Sequence, residues 1–203
     1  MIIKCISEGV LDSNCYVVAQ NDEGIIIDAG VEPEKIINII NSLNITIRHV
    51  VITHCHIDHI MYCSAIKKKT GADLYIHEAD SEDFVNPLNN GALLLGYDYT
   101  PEKPDKELKD GETIVVGDMS LKIINTPGHT PGGICVKIGD NIFTGDTLFN
   151  MSIGRTDLYK GNHSDIINSI KNKLMCFDDS VIVYPGHGPS TTIGFERKNN
   201  PFL

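Results

Sequence analysis

"THCHIDHIMYC", residues 53–63, sets His54, His56, Asp58 and His59 within six positions and adds Cys55 and Cys63. Three readings compete: a closed Cys/His zinc site, a catalytic metal centre, or polar residues gathered on a turn. The stretch leaves the C-terminal end of "IRHVVIT" (47–53), a short apolar run of the kind that makes a buried strand. In extended backbone, residues two apart share a face, so His54 and His56 present their rings together. Neutral imidazoles are ordinary metal ligands, and a carboxylate beside them suits a hard dication. Four donors this close on a turning chain crowd a single ion, and the spacing fits two adjacent ions better. Cys55 then faces away from the histidines and Cys63 falls a turn into the next helix. Both read as small buried hydrophobes.

Two ions need further ligands, and three later stretches offer them. "NTPGHTPG" (125–132) carries His129, "IFTGDTLF" (142–149) carries Asp146, and "VYPGHGP" (183–189) carries His187. Each follows an apolar run, at the strand end where α/β folds gather their chemistry. Flanking glycines let the backbone approach closely there. Asp28 in "IIDAG" reads either as an acceptor orienting a ligand histidine or as a turn-former. Arg155 and Asp157 in "GRTD" read as an internal ion pair or, through Arg155, as a contact to a substrate carboxylate. His49 and His77 read as packed or surface side chains, and His163 as exposed beside Ser164, the expected helix N-cap.

Around these motifs the chain runs in two similar halves. "NCYVVAQ" and "GIIIDAG" predict a hairpin, "PEKIINIINSL" (33–43) a helix with Pro33 in its first turn, and "IMYCSAIKKKTG" a helix closed by Gly71. Residues 86–111 predict a long surface loop over the site. A strand-rich second half follows, with a polar helix at about 164–174 and a strand at 181–186. Strands, helix, strand and histidine-bearing turn recur in both halves, which predicts an α/β sandwich in a single domain, residues 1–203.

Composition narrows the function classes. A net charge of -10 argues against nucleic acid, which needs a basic face. No apolar run reaches the roughly 18 residues of a membrane helix, and no signal peptide is visible. Six dispersed cysteines without a CxxC pair read as reduced thiols of a cytoplasmic protein.

HxHxDH with a distant His, Asp and His resembles the metallo-β-lactamase superfamily. "GIIIDAG", "TPGHTPGGICV", "FTGDTLF", "SIGRTD" and "YPGHGPSTTIGFERKNNPFL" resemble its short glyoxalase II-like (hydroxyacylglutathione hydrolase-like) subgroup over nearly the whole chain. The resemblance implies a four-layer αβ/βα sandwich of two mixed β-sheets flanked by helices. It assigns one metal to His54, His56 and His129, a second to Asp58, His59 and His187, and the bridge to Asp146. Glyoxalase II proper continues into a helical region that helps hold glutathione. Here the chain stops at "NNPFL", so no such C-terminal domain is expected. "IMY" (60–62) also stands where the family usually reads "IGG", which makes Met61 and Tyr62 candidate substrate contacts together with Arg155.

Two dications can share a water and lower its pKa to roughly 7 from 15.7, so that a bridging hydroxide attacks without a serine or cysteine nucleophile. The expected reaction is hydrolysis of an acyl thioester, with Asp58 orienting its metal and relaying a proton. An esterase or lactonase of the same fold and an iron-dependent persulfide dioxygenase are the alternatives. Zinc is the expected metal, with iron or manganese fitting the same donors. A zinc-stabilised binding module is disfavoured, because seven ligands on two ions leave open positions whereas structural zinc sites are closed.

Overall fold

Alternation along the first strands decides the layering. β1 (Ile2–Ile6), β2 (Cys15–Gln20) and β3 (Glu23–Ile27) form an antiparallel meander in the computed structural model, which describes residues 1–99 and 102–203. On β2, Tyr16 and Val18 face one way and Cys15, Val17 and Ala19 the other, and both sets are buried. A strand buried on both faces must lie between two other layers. One covering layer is α1 (Pro33–Leu43), whose Ile36 and Ile40 join Val17 and Ile26 in a core, with Pro33 at its start and left-handed Asn44 at its end.

β4 (Thr46–Val51) then pairs parallel to β3 and leads into α2 (Ile57–Ile60) and α3 (Cys63–Thr70). β5 (Asp73–His77), the short helices α4 (Ser81–Phe84) and α5 (Ala92–Leu95), and β6 (Lys106–Leu108) complete the half. The first sheet is β1 to β6 in order. The second half repeats the plan. β7 (Thr113–Val116), β8 (Met119–Asn125), β9 (Ile134–Ile138) and β10 (Asn141–Gly145) form another antiparallel meander. The hairpin β11 (Leu148–Phe149) and β12 (Ser152–Ile153) and the helix α6 (His163–Ser169) carry the chain to β13 (Ile182–Pro185), parallel to β10. β14 (Thr191–Thr192) and α7 (Ile193–Asn199) finish it.

The two sheets face each other through Tyr16, Val18, Ile25 and Ile27 on one side and Leu121, Ile123, Val136 and Phe143 on the other. Behind the second sheet, Cys135 and Ile142 pack on Ile166, Ile170 and Leu174. The result is the four-layer αβ/βα sandwich. All six cysteines are unpaired, and Cys55 and Cys63 are buried in the first half's core.

Several local expectations change. The helix read as one piece over 60–71 is two, because the Tyr62 amide donates to Ala29 O (2.9 Å) and breaks the run, while Ala29 donates back to His59 O (2.7 Å). This exchange pins the turn bearing His59 to the end of β3. The later helix starts at His163, one residue earlier than expected. Its cap is Asn162 and not Ser164, since Asn162 Oδ1 accepts from the amides of Ser164 and Asp165. Residues 86–99 and 102–111 are not a bare loop but hold α5 and β6; Pro101 of that stretch lies outside the described residues.

Candidate metal centre

Strand ends bring the donors together. β4 delivers His54 and His56, α2 carries Asp58 and His59, and the turns after β8, β10 and β13 supply His129, Asp146 and His187. Every residue of the expected set of seven arrives at one point. His56 Nδ1 and His129 Nε2 approach to 2.8 Å, with His54 completing a triad. His187 Nε2 lies 3.0 Å from Asp58 Oδ2 and 3.3 Å from His59 Nε2, which makes a second triad. Asp146 stands between them. Its Oδ1 is 3.4 Å from His59 Nε2, and its Oδ2 is 3.6 Å from His129 Nε2 and 3.7 Å from His187 Nε2.

Neighbours fix which nitrogen three of the rings turn inward. Asp28 accepts from His59 Nδ1 (2.8 Å), so Nε2 faces the centre. Asp28 also has a left-handed backbone (φ 59°), so the acceptor and the turn-former are the same residue. The Thr53 hydroxyl donates to Asp28 Oδ2 and accepts from His54 Nδ1 (3.1 Å). Arg155 O accepts from His129 Nδ1 at 2.7 Å. In each case the opposite ring nitrogen is the one presented to the centre, and its lone pair is what a cation would use.

The residues fit bound divalent metal. His54 Nε2 and Asp146 Oδ1 are buried without a hydrogen-bond partner, although both sit among the other donor atoms. Buried polar atoms are almost always paired, and a bound cation is what satisfies two such acceptors at once. Burial, and then the neighbouring imidazoles, push His54 well down and His56 down to about 4, leaving both as neutral lone-pair donors. Burial opposes ionisation of Asp58 and Asp146, but the imidazoles, His59 foremost, hold both carboxyls far below the usual range. The same carboxylates, with Asp28, outweigh burial and raise His59. The proton thus retained is one that a dication displaces.

Sequence reading passed over three residues that build the centre. Asp80, fully buried after β5, accepts from the Cys55 amide (3.0 Å), the Thr130 hydroxyl (2.7 Å) and the Gly132 amide (2.6 Å). It ties the His54–His56 turn to the His129 turn. Ser13 Oγ donates to Asp58 O, and Asn14 Nδ2 donates to Pro185 O and Gly188 O on either side of His187. A polar pair immediately ahead of the buried β2 was the available signal. Gly186 meets the expectation of close approach: a Cβ there would stand 2.2 Å from Asp146 Oδ1.

The centre floors a cavity of about 480 Å³ reached by His56, Asp58, His129, Asp146 and His187. Leu88, Asn89, Leu94 and Leu95 wall it on one side, so the 86–95 stretch does stand over the site. Arg155 also lines it, but its guanidinium makes two bonds to Asp157 (2.7 and 2.8 Å). Met61 and Tyr62 sit elsewhere: the break between α2 and α3 turns them half-buried onto the first half's core, outside the cavity wall. His49 stacks on Tyr75, His77 accepts from the Ala79 amide, and His163 is exposed.

The profile of the metallo-beta-lactamase superfamily matches residues 9–187. The hydroxyacylglutathione hydrolase GloC of Haemophilus influenzae is 32% identical over 208 residues, covering 100% of this chain and 98% of that one. Among solved structures, the BLEG-1 B3 metallo-beta-lactamase superposes with a TM-score of 0.95 at 33% identity, covering 100% and 99% of the two chains. TTHA1623, crystallised in a di-iron-bound form, superposes with a TM-score of 0.89 at 30% identity, covering 98% and 100%. With its seven donors, its four layers and this match, the chain belongs to the metallo-β-lactamase superfamily.

Proposed function

We propose that the chain is a dinuclear metal-dependent hydrolase that cleaves an acyl thioester of a small molecule. The observation that carries this reading is the pair of three-residue donor clusters on either side of Asp146, opening on a cavity through His56, Asp58 and His187. His54, His56 and His129 would hold one ion, Asp58, His59 and His187 the other, and Asp146 both. When bound, the ions supply Lewis acidity and an acidified water at neutral pH. The residues of the chain orient that chemistry. Asp28, Thr53 and the Arg155 carbonyl fix the imidazole tautomers, while the Asp58 carboxylate, at the cavity wall, would orient the second ion and relay a proton. A hydrolase of this kind needs no activated side-chain nucleophile. Cys55 and Cys63 are buried with thiol pKa values pushed well up by that burial, so neither serves as one.

Support for the thioester comes from the similarity to GloC over the full chain. Zinc is the proposed metal on its affinity for imidazole-rich sets. Iron is the second reading, favoured by the di-iron form of TTHA1623. A reducing cytoplasm suits the six unpaired cysteines. Metal analysis of the purified protein alongside a panel of acyl thioesters tests the proposal. Turnover of other thioesters with none of S-lactoylglutathione would remove the glyoxalase label and keep the hydrolase. Iron content with oxygen uptake on a persulfide, and no thioester cleavage, would replace the hydrolase by the dioxygenase.

A further inference from the structure

The cavity carries a wall that the metal donors do not require. Leu94 is 79% exposed, Leu88 68% and Leu11 56%, and all three line the opening above the centre. Leu11 holds a left-handed backbone (φ 54°, ψ 30°), which a bulky side chain avoids, and stays more than half exposed. Phe149 and Leu158 continue the same apolar surface toward the ligand atoms. Apolar side chains left exposed around a concavity of this size mark a small-molecule site. Apart from the metal donors, the polar lining is Asn89, Asn90, Tyr159 and Arg155, and the side-chain amides of Asn89 and Asn90 already donate to Asp83 Oδ1 and Phe84 O. Among the described residues of the wall, Arg155 is the one Lys or Arg, and Asp157 already engages its guanidinium.

We propose that this cavity selects the acyl half of the substrate, as an uncharged medium-length alkyl chain laid against Leu11, Leu88 and Leu94, with the thiol half directed to solvent. The inference rests on the thioester reading above and narrows it. A glutathionyl group would bring two carboxylates to a wall whose arginine is already paired, inside a protein of net charge -10. An alkyl chain instead gains from each methylene removed from water, about fourfold in affinity when burial is complete.

Two series on the full chain test this. In the first, N-acetylcysteamine thioesters from acetyl to octanoyl are compared for kcat/KM, and a fixed hexanoyl group is presented on N-acetylcysteamine, coenzyme A and glutathione. In the second, carba-analogues with CH2 in place of sulfur, which cannot be hydrolysed, are titrated calorimetrically. The expected result is a severalfold rise per methylene in kcat/KM and in affinity, with little dependence on the thiol. L94Q and L88Q, both at exposed positions, should flatten the slope. A flat acyl series, or a preference set by the thiol, overturns the proposal. So does a slope unchanged in L94Q and L88Q while either variant dissociates a dimer, which would make the leucines an interface. A graded affinity for the analogues with no thioester turnover keeps the cavity assignment and removes the thioesterase reading, whereas turnover without any gradient does the reverse.

Discussion

Asp146, part-buried at the cavity floor, and Asp80, fully buried behind it, are both carboxylates, yet they act on the centre differently. Asp146 offers both oxygens to the donor clusters on either side of it, so D146A is expected to remove bound metal and hydrolysis together, read by metal analysis and a thioester assay. Retention of both would refute the bridge. Asp80 touches no ligand atom but receives three donors from the turns that carry His54, His56 and His129. D80A should lower metal affinity roughly 10–100-fold, measured by chelator competition, because the two turns lose their common anchor. The convergent donors were legible because metal chemistry restricts residue type and because glycine flanks each later one. Asp80 was not, since "EADSED" is one acid among several and only hydrogen bonding in three dimensions separates it. Met61 and Tyr62 misled for a related reason. The sequence shows a departure from the family pattern at 61–62, but which side of the chain the change faces is set by the Tyr62–Ala29 bond.

At the level of elements, periodicity located the principal strands and the long helix, and boundaries moved where individual hydrogen bonds decided them. α6 shows this best. Ser164 looked the better cap by type, but Asn162 occupies the extended position and its side chain accepts two amides. N162A is therefore expected to cost about 1 kcal/mol in urea denaturation, and S164A much less. The Asn162 amide also donates to Gly128 O, next to His129, so the cap connects the helix start to a metal-bearing turn. α5 and β6 were invisible to pattern reading for a simpler reason: four and three residues are too few for a period to register.

At the scale of the molecule, the centre lies where the two sheets' strand ends meet, with ligands from both halves. On the proposed metal loading, removing the ions would leave buried acceptors uncompensated, and a ligand bound only by the folded state stabilises it by mass action. For each ion present at a hundredfold over its Kd this is about 2.7 kcal/mol, so chelation should lower Tm by about 5–10 °C per ion removed, read by scanning calorimetry. The sheet interface is the independent support. Phe143, fully buried between Tyr16 and Tyr184 (ring centroids 5.1 Å from each), should cost about 3–5 kcal/mol as F143A, with or without metal.

The distribution of the donors along the chain also bears on the order in which the molecule assembles. His54, His56, Asp58 and His59 come from one turn and need no distant contact to be near each other. Their partners arrive by closing much longer segments, 73 residues from His56 to His129 and 129 from Asp58 to His187. Such closures are slow. On the proposed assignment each ion's donor set is complete only once His129 or His187 has arrived, so the rate of metal uptake during refolding is expected to report the docking of the second half.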